Sequence, residues 1–110
     1  MNKVQEFLNE KFGEVGVIEI DNVLWFMGSD VARILQYEPT TNMTRNLEDD
    51  EKDIQTLNTH GGEQKCLIIN ESGLYNAVLS ITKRNKERYK ISRDFKRWIT
   101  GTVIPAIRKD

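Results

Sequence analysis

Two turn signals constrain the fold of this 110-residue chain more than any other feature of its sequence. In "VGVIEIDNVLWFMG" (15–28), two runs of β-branched and aromatic residues flank Asp21-Asn22, a pair that tolerates positive φ. The strand candidates "DIQTLNT" (53–59) and "QKCLIIN" (64–70) flank Gly61-Gly62 in the same way. Each pattern predicts an antiparallel β-hairpin, because residues with these backbone preferences let two strands reverse tightly.

Helices are predicted before and after the first hairpin. Val4, Phe7 and Leu8 are spaced i, i+3, i+4, which favours a short helix within residues 1–12. Ser29 is predicted to cap the helix "DVARIL" (30–35), with Asp30 in its first turn. The buried stripe of that helix is expected to consist of Val31, Ile34 and Leu35. After Pro39, "TTNMTRNL" (40–47) predicts a restarted helix that Thr40 or Thr41 caps.

Two further helices are predicted in the second half of the chain. Asn70 can cap a helix from Glu71, with Leu74, Tyr75, Val78 and Leu79 on its buried side. The last helix carries an apolar stripe at i, i+3, i+4, i+7 and i+8, formed by Phe95, Trp98, Ile99, Thr102 and Val103. Pro105 should bend or end it, because proline lacks an amide donor. The sequence thus predicts an α+β fold, in which small antiparallel β-hairpins pack with about four to five helices in a single domain.

The charge of the chain is strongly divided along its length. Residues 1–82 carry 6 basic and 14 acidic side chains, whereas residues 83–110 carry 10 basic and 3 acidic ones, although the formal net charge is only −1. Such asymmetry indicates a polyanionic partner or an acidic protein surface. The stretch "TKRNKERYKISRDFKRW" (82–98) supplies the candidate phosphate-binding residues, which are Lys83, Arg84, Lys86, Arg88, Lys90, Arg93, Lys96 and Arg97.

Within this stretch, Lys83 to Lys90 are expected in a loop, and the later cations on the polar face of the last helix. Tyr89 is able to stack on an unpaired base or to pack inward. Trp98 and Trp25 are expected in the core, because both lie in apolar patterns. Arg33 and Arg45 are weaker candidates, since the sequence around them is acidic.

The sequence offers little support for catalysis, a metal or a cofactor. His60 is the only histidine and is expected in an exposed turn, while Cys66, the only cysteine, is expected to be a small core residue. The acidic run Glu48–Asp53 predicts an exposed turn and lacks the pattern of a calcium loop. A non-enzymatic protein without cofactor follows. The lone thiol, with no signal peptide and no long apolar run, favours a cytoplasmic location without membrane contact.

Three strings resemble the N-terminal domain of the BRO family (Bro-N), which occurs in phage and prophage antirepressors and in baculovirus BRO proteins. They are "WFMGSDVARILQY" (25–37), "GGEQKCLIINESGLYNAVLSI" (61–81) and "FKRWITGTVIPAIRK" (95–109). The chain departs from the family pattern at Gln36, where the family commonly has Gly. It also departs in the segment that joins "LS" to "FKRW", residues 82–92, which is longer and more basic than is usual in the family.

The resemblance implies a small α+β domain that binds DNA or another nucleic acid in phage or prophage transcription regulation, within the cytoplasm of an infected or lysogenic bacterium. Residues 1–110 are then a Bro-N-like domain or the N-terminal part of a longer antirepressor. The alternative is a protein-interaction module that binds and neutralises a phage or host repressor, with Glu48–Asp53 facing the repressor's basic surface. A homo-oligomer is left open.

Overall fold

A computed structural model describes residues 3–108 of the chain. Its regular elements are the strands β1 (Gln5–Asn9), β2 (Gly13–Ile20), β3 (Val23–Met27), β4 (Lys52–Thr59) and β5 (Gly62–Asn70), and the helices α1 (Gly28–Leu35), α2 (Thr41–Thr44), α3 (Glu71–Leu79), α4 (Lys86–Trp98) and α5 (Ile104–Arg108). A 3₁₀ turn (Asp49–Glu51) precedes β4, and a π-helical segment (Ile99–Val103) joins α4 to α5. The α+β prediction is confirmed.

The five strands form one antiparallel sheet in the order β1-β2-β3-β5-β4. Both sequence-predicted hairpins are present. Asp21 and Asn22 have φ of 52° and 68°, the left-handed values of the tightest hairpin turn. In the second hairpin Thr59 pairs with Gly62, so His60 and Gly61 form the turn. That turn lies one residue before the predicted one.

The main core lies between one face of this sheet and the helices. Val17, Phe26 and Ile69 from the sheet meet Leu35 from α1 and Phe95 from α4, all essentially without solvent exposure. The predicted α1 stripe is confirmed, as is a core shared by the last two predicted helices, with the side chains of Tyr75 and Trp98 only partly buried at its margin. Leu79 is 60 % exposed and Thr102 is also exposed, so the prediction that they are buried was wrong.

The prediction of an N-terminal helix was wrong, because residues 5–9 pair with β2 as a strand. The spacing of Val4, Phe7 and Leu8 would place them on one helical face, but in the extended chain around β1 they lie in different environments. Phe7 packs against the main core, Val4 packs on the other face of the sheet, and Leu8 is exposed. Residues 1 and 2 of the predicted helix lie outside the described residues.

Helix boundaries follow local capping only in part. Asn70 accepts a hydrogen bond from the Gly73 amide, as predicted for the start of α3. Ser29 does not cap α1, because the chain passes directly from β3 into a helix that begins at Gly28. Thr40 precedes α2, but its side chain makes no capping hydrogen bond. The regular α-helical pattern stops at Ile99, before Pro105, as expected for a proline that cannot donate to the carbonyl four residues earlier.

Candidate nucleic-acid interface

Helix α4 carries most of the predicted basic site. The prediction of a loop through Lys90 was wrong, because α4 begins at Lys86. The Asn85 side chain caps it by accepting a hydrogen bond from the Arg88 amide at 3.0 Å. Ser92 and Phe95 are fully buried and attach the helix to the core. The opposite face of α4 is therefore held towards solvent by a rigid element.

Three cations form a row along that exposed face. Lys86, Lys90 and Arg97 are spaced i, i+4 and i+11, which places them on one side of an α-helix over roughly 16 Å of its length. Their side chains are exposed, and the turn before the helix adds exposed Lys83 and Arg84. We call these five residues the basic row.

One carboxylate lies within the basic row and draws in a lysine from outside it. Asp94 Oδ2 accepts hydrogen bonds from Lys11 Nζ at 2.6 Å and from Lys90 Nζ at 2.8 Å, and Oδ1 accepts one from Arg97 at 3.1 Å. The Lys11 bond, followed by the Lys90 bond, lowers the pKa of Asp94 to about 2. The same carboxylate raises the pKa of Lys90. Three cations thus converge on the two oxygens of one carboxylate.

Two of the candidate arginines point inward and cap other helices. Arg88 donates from Nε to the carbonyl of Leu35 at 2.8 Å, at the end of α1, and its guanidinium lies 4.6 Å from the ring centre of Tyr37. Arg93 donates to the carbonyl of Val78, near the end of α3, at 2.9 Å. Cations at helix C-termini satisfy carbonyls that lack an intrahelical partner. Both arginines therefore have a structural task that their sequence positions did not reveal.

The aromatic residues near α4 are partly or wholly engaged within the fold. Tyr89 is half-buried against the core, with the Arg93 guanidinium 4.1 Å and Lys83 Nζ 5.6 Å from its ring centre. Trp98 packs at the core margin, near Phe12 at 5.9 Å between ring centres. Lys96 Nζ lies 5.8 Å from the ring centre of Tyr75. Trp25 packs in a second cluster on the far face of the sheet. Of the two alternatives for Tyr89, the structure shows inward packing.

The weaker candidates differ from one another. Arg33 donates to the carbonyl of Glu14 at 2.7 Å and pairs with Asp30, so it braces α1 against β2. Arg45 is exposed at the end of α2. Lys11 was not identified from the sequence, because it contacts Asp94 from 83 residues away and no local pattern marks it.

The acidic run is not wholly an exposed turn, which corrects the sequence-based prediction. Glu48, Asp49 and Asp50 are exposed, but Glu51 is only 8 % exposed. Its carboxylate accepts hydrogen bonds from Ser72 Oγ at 2.6 Å, from the Glu48 amide at 2.9 Å and from Asn76 Nδ2 at 3.2 Å. These bonds, that of Ser72 first, lower the pKa of Glu51.

His60 and Cys66 occupy unrelated environments. Cys66 is 8 % exposed in the cluster on the far face of the sheet, as expected for a small core residue. His60 is exposed in the β4–β5 turn, as predicted, and contacts Glu6. Within residues 3–108, one group of three side chains has the types and spacing to hold a metal ion, namely Glu6, Glu14 and His60. No helix in that range is long and apolar enough to cross a membrane.

A known family model matches the sequence of the chain. Residues 14–105 match the model of the BRO family, N-terminal domain, and so account for nearly the whole chain. The chain belongs to the BRO family. The match supports a regulatory domain of phage or BRO type, a class that often binds DNA. No curated protein and no solved structure matches the chain significantly.

The structure explains two positions within the motifs of the family resemblance. Gly73, within "INESGLY", lies so close to the preceding turn that a Cβ there would be 2.7 Å from the carbonyl oxygen of Glu51. Gln36, in place of the usual Gly, ends α1 in the left-handed conformation with φ 62° and ψ 41°. Helix α1 therefore ends in the left-handed conformation that glycine favours, although this position holds no glycine.

Proposed function

We propose that this BRO-family domain is a non-catalytic nucleic-acid-binding module of a phage or prophage antirepressor-type regulator, and that the basic row binds the phosphate backbone. The observation that carries this proposal is the exposed alignment of Lys86, Lys90 and Arg97 on a capped helix, with Lys83 and Arg84 beside its N-terminus. Phosphates on one strand form a line of negative charge, which a line of cations complements.

The contacts within the domain narrow the set of phosphate-binding residues. Arg88 and Arg93 are assigned to helix capping, because their guanidinium groups already donate to Leu35 and Val78. Lys96 lies beside Tyr75 and contributes at the margin of the row. Among the described acidic side chains, none is within ion-pair distance of Lys83, Arg84 or Lys86. These three cations are available to an external anion without breaking an internal pair.

Contacts of this kind give affinity and orientation rather than sequence readout. Binding should therefore depend steeply on salt and weakly on sequence. A phosphate oxygen arriving at Lys90 and Arg97 would replace the Asp94 carboxylate, so Asp94 should act as an internal competitor. The Asp94→Asn variant is expected to bind nucleic acid more tightly than the wild type.

The test is fluorescence anisotropy with labelled duplex and single-stranded DNA across a salt series. Lys86→Ala/Lys90→Ala should make the slope of log K against log[salt] shallower by about two units on duplex DNA. It should also weaken binding to all DNA sequences to the same extent. Arg45→Ala/Lys65→Ala removes two exposed cations outside the row and is the matched control. The proposal is contradicted if Lys86→Ala/Lys90→Ala leaves the slope unchanged, as the control variant is expected to do.

The repressor-binding alternative rests on the exposure of Glu48, Asp49 and Asp50 beside β4. It forecasts weak DNA binding at any salt concentration and loss of repressor binding when these three charges are reversed. Glu51 is excluded from such a reversal, because its carboxylate is buried and hydrogen-bonded. The anisotropy series decides between the two functions.

A further inference from the structure

The turn between β4 and β5 contacts β1, the strand at the opposite edge of the sheet. In the strand order β1-β2-β3-β5-β4, strand β1 and the β4–β5 hairpin lie at opposite edges. Nevertheless His60 Nε2, at the hairpin turn, lies 3.0 Å from Glu6 Oε1 in β1. The hairpin therefore curves across the far face of the sheet, where Leu57 and Ile68 are buried against Ile18.

This curvature places the imidazole beside a pair of carboxylates. Glu6 is opposite Gly16 in the β1–β2 register, so Glu14, two residues before Gly16, is its diagonal neighbour on the same face. The ligand atoms of Glu6, Glu14 and His60 all lie within 4.8 Å of one another. Two like charges this close repel one another unless a proton or a cation lies between them.

The cluster opens into a cavity rather than onto a flat surface. The cavity has a volume of about 740 Å³, and its lining includes Asp30, Thr59 and Gln64 as well as the three clustered residues. Lys3 is also part of the lining. Oxygen-bearing side chains around the cluster leave room for water molecules, which would fill coordination positions that three protein ligands leave open.

We propose that Glu6, Glu14 and His60 bind one divalent transition-metal ion, such as Zn²⁺, that joins β1 to the β4–β5 turn. An imidazole with two carboxylates suits zinc and its first-row neighbours, whereas Ca²⁺ and Mg²⁺ prefer shells made only of oxygen. Ligand atoms around zinc lie roughly 3–4 Å apart, given bonds of about 2.1 Å, so only a small contraction is needed. The His60 side chain is 86 % exposed and free to make that adjustment.

The test is titration of the tag-free chain with Zn²⁺ by calorimetry, with thermal unfolding followed in parallel. One equivalent should bind and the midpoint of unfolding should rise, because a ligand of the folded state stabilises it. His60→Ala and Glu14→Gln should each lower Zn²⁺ affinity by at least about tenfold, since the loss even of a residue that only supports a metal ligand lowers metal affinity by that factor. The carboxylate of Glu63 is exposed near the same turn, so Glu63→Gln is a control. Both Glu63→Gln and Cys66→Ala should bind Zn²⁺ as tightly as the wild type does.

Mg²⁺ and Ca²⁺ should leave the unfolding midpoint unchanged. The proposal is overturned if the chain takes up no Zn²⁺ in excess metal, or if binding survives His60→Ala and Glu14→Gln. It is equally overturned if Cys66→Ala abolishes uptake, or if Mg²⁺ and Ca²⁺ stabilise the protein as strongly as Zn²⁺ does. Because none of these measurements involves nucleic acid, their outcome is independent of the basic row.

Discussion

Replacing Glu51 separates a structural carboxylate from the exposed acidic residues beside it. Three donors converge on this 8 %-exposed side chain, from Ser72, Glu48 and Asn76. Glu51→Ala deletes the shared acceptor and leaves all three donors to find water. Hydrogen bonds to a charged group contribute about 1.5–3 kcal/mol each but are not additive, and Ser72 can rehydrate at the surface. We expect a loss of about 3 kcal/mol in the free energy of unfolding.

Glu51→Gln should cost much less, about 1 kcal/mol, because most of the hydrogen bonds can be kept. The glutamine oxygen can take the place of Oε1, which accepts from the Glu48 amide and Asn76. Its amide nitrogen can donate to the Ser72 hydroxyl, which rotates to accept. Asp50→Ala is the control, since the Asp50 side chain is exposed in the same turn, and it should change stability by less than about 0.5 kcal/mol.

The assay is equilibrium unfolding in urea, with far-UV circular dichroism and tryptophan fluorescence as two probes. The midpoint should shift while the dependence on urea stays the same. The folded-state pKa of Glu51 is lowered, so its contribution is present above the ordinary value of 4.5 and is lost as the pH falls below it. The difference between wild type and Glu51→Gln should therefore narrow in acid. Equal effects of Glu51→Ala and Asp50→Ala would refute the assigned role of this carboxylate.

Three further predictions concern the backbone, the core and the basic row. Gln36→Gly should stabilise the fold by about 0.5–1 kcal/mol in urea unfolding, because glycine adopts the left-handed conformation at φ 62° without the backbone strain of a residue with a Cβ atom. Gln36→Ala should be nearly neutral. A loss of stability in Gln36→Gly would contradict this reasoning. Trp98→Ala should cost about 3 kcal/mol, the lower end for a large aromatic residue, since the ring is only partly buried beside Phe12 and Phe95; a change near zero would show that the ring does not contribute to the core. The ion pairs lower the folded-state pKa of Asp94 from 3.8 to about 2. The wild type should therefore be more stable than Asp94→Asn above pH 3.8, and this difference in the free energy of unfolding should vanish as the pH falls to about 2. A difference that does not change with pH would rule out the ion pairs as its source.

Local patterns in the sequence were sufficient for the elements whose chemistry is local. Asp21 and Asn22 belong to the residue types that tolerate positive φ, and the Asn70 side chain reaches an amide only three residues away. The apolar stripes of α1 and α4 follow from helical periodicity, and they located Leu35 and Phe95 in the core. The density of lysine and arginine in residues 82–98 was sufficient to predict a basic surface on the last helix, because charge runs are evident in the sequence itself.

Tertiary structure alone decided which side chains meet across the chain. Residues 5–9 have a helical spacing, yet pairing with β2 makes them a strand, because cross-strand hydrogen bonds outweigh a weak local preference. Arg88 and Arg93 resemble their neighbours in sequence and differ only because carbonyls of other helices lie within their reach. His60 meets Glu6 for the same reason, since the sheet curves and joins residues that are 54 positions apart. Such contacts depend on the packing of the whole sheet, which no local window of the sequence contains.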